Sequence, residues 1–429
     1  MDASEIRKKQ KELLFPSVGT YYEEPLVVES ASGMHVRSIE GRDYLDFFGG
    51  ILTVSVGHCH PRVTEAAVAQ QKKLVHVSTL YPTRPQIELA EKLVQLSPMK
   101  PAKAFFTNSG TEANETAVTL AKCHTGRTDL VALRHSYGGR SALAQNMMGN
   151  KNFRPLQSEL PGIKHAHSPY CYRCDFDLKY PDCGVACAKD VKNLIDTTTN
   201  GQIAAFIAEP IQGVGGFITP PKEYFQIVAP IVRDAGGLFI ADEVQTAWGR
   251  TGGKWWGIEQ YGIEPDIVTG AKGLGNGQPI GVTLARSALA GSWRGAHIST
   301  FGGGPVSMAA ALATISVIEE ERLLHHAQLM GAALRQGLES LQRDFPRVGD
   351  VRGMGLMQAI ELVKDPKTKE PDAPAANRLM EATRKRGLLI GKGGLYGNAM
   401  RIAPPLVVAR PHIDEALRAL AESLREALA

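Results

Sequence analysis

Two ionisable residues terminate apolar runs near the middle of the 429-residue chain. Residues 237–241 lead to Asp242, and residues 266–271 lead to Lys272. Each run is too short for a helix and has the pattern of a buried strand. A lone carboxylate and a lone amine at neighbouring strand ends are costly unless each finds a partner. Pyridoxal phosphate (PLP) offers both an aldehyde for the lysine to form an imine with and a pyridine nitrogen whose proton the aspartate can hold. A structural Asp–Lys ion pair satisfies the same two residues and, on these alone, is an equal reading.

Two further segments bear on the choice. Residues 105–108 read as a strand end, Ser109-Gly110-Thr111 as a turn, and the residues through Ala121 as a helix. A glycine turn opening a helix presents free N–H groups and the positive dipole end, which together seat a phosphate. The Ser109 and Thr111 hydroxyls add donors, although an ordinary N-cap uses the same residue types. Residues 130–134 form another short strand, followed by Tyr137-Gly138-Gly139. A tyrosine beside glycines suits a ring lying against a planar cofactor, or a turn aromatic covering the core.

In sequence order, these segments resemble the class III (ω-) aminotransferases, PLP enzymes of fold type I, over nearly the whole chain. The motifs begin with Gly41-Arg42-Asp43-Tyr44 and Gly57-His58-Cys59-His60-Pro61. They continue through Ser109-Gly110-Thr111-Glu112-Ala113-Asn114, Glu209-Pro210-Ile211-Gln212-Gly213, Asp242-Glu243-Val244-Gln245 and Ala271-Lys272-Gly273. They end with Ser299-Thr300-Phe301-Gly302-Gly303 and Arg401-Ile402-Ala403-Pro404-Pro405. Residues 209–214, 349–357 and 387–391 are similar to the alanine–glyoxylate aminotransferase 2-like subgroup.

The resemblance implies that Lys272 is the Schiff-base lysine and moves the proton, while Asp242 keeps the pyridine nitrogen protonated. Val244 and Tyr137 would pack on opposite ring faces, with Gly138 beside them and Gln245 near the ring hydroxyl. Ser109, Gly110 and Thr111 would hold the phosphate, and Thr300 would reach it from the neighbouring subunit. Arg401 would fork onto a substrate α-carboxylate, a geometry lysine cannot copy. Glu209, beside the cofactor, would pair with Arg401 when no carboxylate is there. A surface charge and a strand-end cap are the plain alternatives for Arg401 and Glu209. Gly304 stands where the family usually has Asn; both residue types tolerate left-handed backbone, so the turn is expected to survive.

The activity implied is transfer of an amino group from an ω- or β-amino acid or alanine to a keto acid such as pyruvate or glyoxylate. The alternatives are a PLP lyase or decarboxylase on the same scaffold, or a 4-aminobutyrate- or ornithine-type aminotransferase using 2-oxoglutarate. Homodimers, or dimers of dimers, with shared active sites are implied too.

Composition narrows the classes. The balance of 48 basic and 44 acidic residues, with no concentrated basic patch, argues against nucleic acid. No apolar run has bilayer length. Residues 1–12 carry three acids and no apolar core, which fits neither a secretory signal nor a transit peptide, so a cytoplasmic protein is expected. The length predicts two domains. One is an α/β domain over 61–320 with a mostly parallel, seven-stranded-type sheet and a cysteine-rich insertion near 165–190. The other is a smaller α+β domain from 1–60 and 321–429. Apolar spacing predicts helices over 65–74, 86–96, 308–321 and 413–428, strands over 203–208 and 356–362, and a polar loop over 365–374.

Four cysteines cluster in sequence: Cys171, Cys174, Cys183 and Cys187. They could close a tetrahedral zinc site, form disulfides, or pack as small free thiols. The second pair's spacing is looser than usual metal knuckles, so no metal is expected. The glycine-rich stretches 270–277 and 391–397 lack the endings of nucleotide-binding loops.

Overall fold

A computed structural model describes residues 1–154 and 160–429. Its strands run in chain order. The first three are β1 (Val28–Ser32), β2 (His35–Ser38) and β3 (Asp43–Asp46). Then come β4 (Ala102–Thr107), β5 (Leu130–Leu133), β6 (Ile163–Ala166), β7 (Ala205–Ala208), β8 (Leu238–Asp242), β9 (Ile267–Ala271) and β10 (Gly281–Arg286). The last are β11 (Val348–Met354), β12 (Met357–Leu362), β13 (Leu388–Leu389), β14 (Gly391–Gly393) and β15 (Ala399–Ile402).

The middle group forms one seven-stranded sheet in the order β4-β10-β9-β8-β7-β5-β6. From β6 to β9 all neighbours are parallel, and β10 runs antiparallel between β9 and β4. Strands β5, β7 and β9 are buried at every residue, so they read as continuous apolar runs without alternation. Phe206 and Phe239 stack at 5.6 Å on neighbouring strands, with Phe225 of the helix Tyr224–Asp234 edge-on at 5.7 Å. Because β4, β5, β7, β8 and β9 point the same way, the chain segments leaving their carboxyl ends meet along one sheet edge.

Two four-stranded sheets, β1-β2-β3-β13 and β11-β12-β15-β14, flank this core. The parallel pairing of Leu388 with Leu45 joins the first part of the chain to the last. Four helices begin before their first periodic apolar residue: Pro61–Lys73, Arg84–Leu96, Pro305–Glu320 and Arg410–Leu428. Each carries a proline in its first turn, where the missing N–H costs nothing and the fixed φ is already helical. The expected loop at 365–374 ends early for a related reason. Asp372 accepts a 3.0 Å bond from Ala375 N and caps the helix Ala373–Lys385.

The cysteine-rich segment is docked by a buried charge network. Glu361 on β12, fully buried, accepts from Arg352 Nη1 at 2.7 Å, Arg173 Nε at 2.6 Å and the Tyr170 hydroxyl. Removing one member of such a network leaves uncompensated charge. Glu361→Ala is therefore expected to destabilise the protein by about 3–5 kcal/mol in urea unfolding. An unchanged midpoint would show that the network is dispensable.

Candidate active site

The sheet edge carries a cavity of about 310 Å³, the lower end of small-molecule sites. Ser109, Gly110, Thr111, Tyr137, Gly138, Glu209, Asp242, Val244, Gln245 and Lys272 all line it. Five strands thus bring together ten residues singled out from sequence.

At one end, Ser109 caps the helix Gly110–Thr125, its Oγ accepting from Glu112 N at 3.2 Å. The N–H groups of Gly110 and Thr111 have no intrahelical acceptor and lie at the cavity wall. A side chain at position 110 would place its Cβ 2.8 Å from one Val244 methyl and 2.9 Å from the other. The bare glycine is what lets Val244 close over the helix start.

Asp242, buried at the end of β8, accepts from Asn114 Nδ2 at 2.8 Å and from Val244 N at 3.1 Å. Burial pushes its carboxyl above the usual range, and these two donors and nearby Lys272 oppose that rise. Lys272, held in left-handed backbone at φ 46°, makes no ion pair among the described residues. Burial depresses its pKa; Asp242 and Glu209 oppose this, and Arg401 reinforces it. The structural ion-pair reading of Asp242 and Lys272 is thereby removed.

Glu209, at the end of β7, accepts from Tyr137 N at 3.0 Å and from Gly213 N at 2.8 Å. Burial first, then Asp242, push its carboxyl up to about 8. The expected Glu209–Arg401 pair does not form among the described residues. Gly213 stands between them, its N–H serving Glu209 while its carbonyl accepts from Arg401 Nη1 at 3.4 Å. Glu209 is already satisfied by two backbone donors and has no need of the arginine. Arg401, outside the cavity lining, also donates to Lys392 O at 2.9 Å and to the Tyr21 hydroxyl at 3.1 Å. Its guanidinium lies 4.8 Å from the Phe48 ring centroid, with no carboxylate partner among the described residues.

Thr300 is exposed and a single chain does not bring it to the cavity. In the turn that follows, the left-handed residue is Gly303 at φ 73°; Gly304, at φ −55°, is an ordinary helix N-cap. Replacing the family's Asn there costs the backbone nothing. All four clustered cysteines are free thiols, and no three His, Cys, Asp or Glu side chains among the described residues are placed to share a metal ion. Burial, then the neighbouring thiols, raise Cys171 to about 11 and Cys187 to about 12, so neither is a ready thiolate.

Sequence reasoning passed over two residues that the structure places at the centre. Asn114 was visible only as a motif letter, though its position one helical turn beyond Gly110 puts it on the same face. Thr269 inside β9 gave no signal of its own.

The residues present fit PLP. The helix start offers unpaired N–H donors to a phosphate, and Asp242 offers a buried carboxylate to a ring nitrogen. Gln245 Oε1, buried without a partner among the described residues, awaits a donor. Comparisons with known proteins agree. The class-III aminotransferase family model matches residues 19–424. Alanine–glyoxylate aminotransferase 2 homolog 2 (mitochondrial) of Arabidopsis thaliana is 41% identical, covering 98% of this chain and 87% of its own. A leucine/methionine racemase of Thermococcus litoralis is 36% identical over 96% of this chain and 94% of its own. Among solved structures, an (S)-enantioselective omega-transaminase from Thermomicrobium roseum superposes with a TM-score of 0.93 at 33% identity, covering 100% of both chains.

The tight contact at Gly110 gives a direct test. Gly110→Ala should force Val244 aside and weaken PLP binding by about tenfold, the usual scale of overpacking. An absorbance titration of the cofactor checks this; unchanged affinity would mean that Val244 does not set the cofactor's seat.

Proposed function

The chain belongs to the class-III aminotransferases and is a PLP-dependent transaminase; from that premise we propose how its residues divide the work. Bound in the cavity, PLP supplies an aldehyde carbon and an electron-accepting ring. Ser109, Gly110 and Thr111 hold its phosphate, and Asp242 holds the proton on its ring nitrogen. Val244 and Tyr137, with Gly138, confine the ring, and Gln245 Oε1 accepts from its hydroxyl. Lys272, whose pKa is depressed and which has no ion-pair partner, would take a proton at Nζ from the substrate's amine-bearing carbon and pass it to the former aldehyde carbon, the 1,3-shift that leaves the amino group behind.

Arg401 recognises a substrate carboxylate. The observation that carries this is its burial without an acidic partner, since a buried cation is stabilised by an arriving anion. Glu209 shapes the same wall through Gly213. The amino donor is an ω- or β-amino acid or alanine, and the acceptor is pyruvate or glyoxylate. The Arabidopsis relative's name, alanine–glyoxylate aminotransferase, supports this choice.

The active enzyme is a homodimer in which Thr300 of each chain completes the other's phosphate site. Its exposure, next to Ile298 at 56% and Phe301 at 66% exposed, supports that reading. Residues 61–320 form the cofactor-binding domain, and 1–60 with 321–429 form the smaller one. No helix among the described residues is long and apolar enough to cross a membrane. Six unbridged thiols fit a reducing compartment such as the cytoplasm.

Two experiments test these assignments. The PLP-loaded protein is titrated with amino donors and no acceptor while its visible spectrum is followed. Conversion to the pyridoxamine form by alanine or a β- or ω-amino acid is expected. A spectrum that persists while the amino acid racemises would favour the chemistry named for the Thermococcus relative. In the second, Arg401→Ala should lower kcat/KM for the keto acid by about tenfold or more, the value of a charge-assisted bond. Unchanged turnover would remove Arg401 from substrate recognition.

A further inference from the structure

Asn114 is almost completely buried, at 1% exposure, yet it sits in a helix where alanine would be favoured. Its side-chain amide spans three segments. Nδ2 donates to Asp242 Oδ2 at 2.8 Å and to Gly138 O at 2.9 Å, while Oδ1 accepts from Thr269 Oγ1 at 2.7 Å. Both amide hydrogens are used, one on β8's terminal carboxylate and one on the turn after β5.

Chemistry fixes the amide's orientation. A carboxylate and a carbonyl both require donors, so rotating the amide by half a turn would set Oδ1 against two acceptors. The Thr269 hydroxyl, donating from β9, holds Oδ1 on the opposite side. Among the described residues, Asn114 is the one side chain that donates to Asp242; its other bond comes from the backbone at Val244.

We propose that Thr269 and Asn114 form a positioning relay that keeps Asp242 a correctly aimed carboxylate and ties the Tyr137-Gly138 turn to it. One amide thereby sets the group that faces the ring nitrogen and the turn that confines the ring. The inference rests on the reading of Asp242 as the ring-nitrogen partner. The other charged groups acting on Asp242 are Lys272 and Glu209, and neither donates a hydrogen bond to it among the described residues.

The test uses PLP-loaded protein and two readouts besides turnover. These are the dissociation constant for PLP and the pH at which the bound cofactor's visible absorption titrates. Asn114→Ala should weaken PLP binding about tenfold, the scale of a bond to a charged group. It should also move the absorption midpoint upward by about one pH unit, because a less protonated ring draws less charge from the lysine nitrogen. Thr269→Val, nearly isosteric, should shift both in the same direction by less, and Thr269→Ser should behave like the parent.

If Asn114→Ala proves unfolded by circular dichroism, Thr269→Val decides alone. A parent-like midpoint and affinity in a folded Asn114→Ala protein would overturn the relay, since a packing role lowers melting temperature without moving the midpoint. Asp242→Asn separates the two claims. If it shifts the midpoint and Asn114→Ala does not, only the relay fails. If Asp242→Asn leaves the midpoint unchanged, the reading of Asp242 fails with it.

Discussion

Keeping a carboxylate and an amine buried at adjacent strand ends without letting them neutralise each other is the constraint on which this structure depends. Asp242 and Lys272 leave parallel neighbours β8 and β9 side by side, in a place where water cannot solvate either well. A direct ion pair would have been the simplest relief. Instead, Asp242 is held by Asn114 and a backbone N–H, while Lys272 is left with a depressed pKa. That arrangement is stabilising only if a third group enters and serves both, which is what a pyridine aldehyde does.

The rest of the site follows from making room for that group. The parallel sheet supplies five carboxyl ends on one edge. Bare glycines then allow close approaches that a methyl group would block. At Gly110 the obstacle would be Val244, and at Gly213 it would be Gln245, whose carboxamide lies 2.4 Å from the missing Cβ. Gly213 also sets the relation between Glu209 and Arg401. By taking one residue on its N–H and the other on its carbonyl, it leaves the arginine's charge uncompensated and open to a substrate anion.

The cofactor edge was legible because its chemistry lies at ends of elements. Asp242 and Lys272 each end a short strand, Leu238–Asp242 and the run Ile267–Ala271, that holds no other ionisable residue, and the Ser109-Gly110-Thr111 turn is a local signal for a helix start. Strands such as β7 were readable as continuous apolar runs for the same reason that they are buried on both faces. What stayed hidden depends on distance in sequence. The Asn114–Asp242 bond spans 128 residues and the Thr269–Asn114 bond 155. Neither residue type is unusual where it stands. The Glu209–Arg401 expectation failed because backbone donors, which a sequence does not display, had already claimed the carboxylate. Helix starts were misplaced where first-turn prolines extend the helix beyond its apolar periodicity.

The central claim is that Lys272 is the residue joined to the cofactor. Borohydride reduction of the PLP-loaded protein, followed by proteolysis and mass mapping, tests it most directly. A pyridoxyl group on Lys272 alone, at about one per chain, is the result this structure predicts. Modification at another lysine with Lys272 left free would contradict it, and would return Asp242 and Lys272 to the status of two buried charges without a common partner.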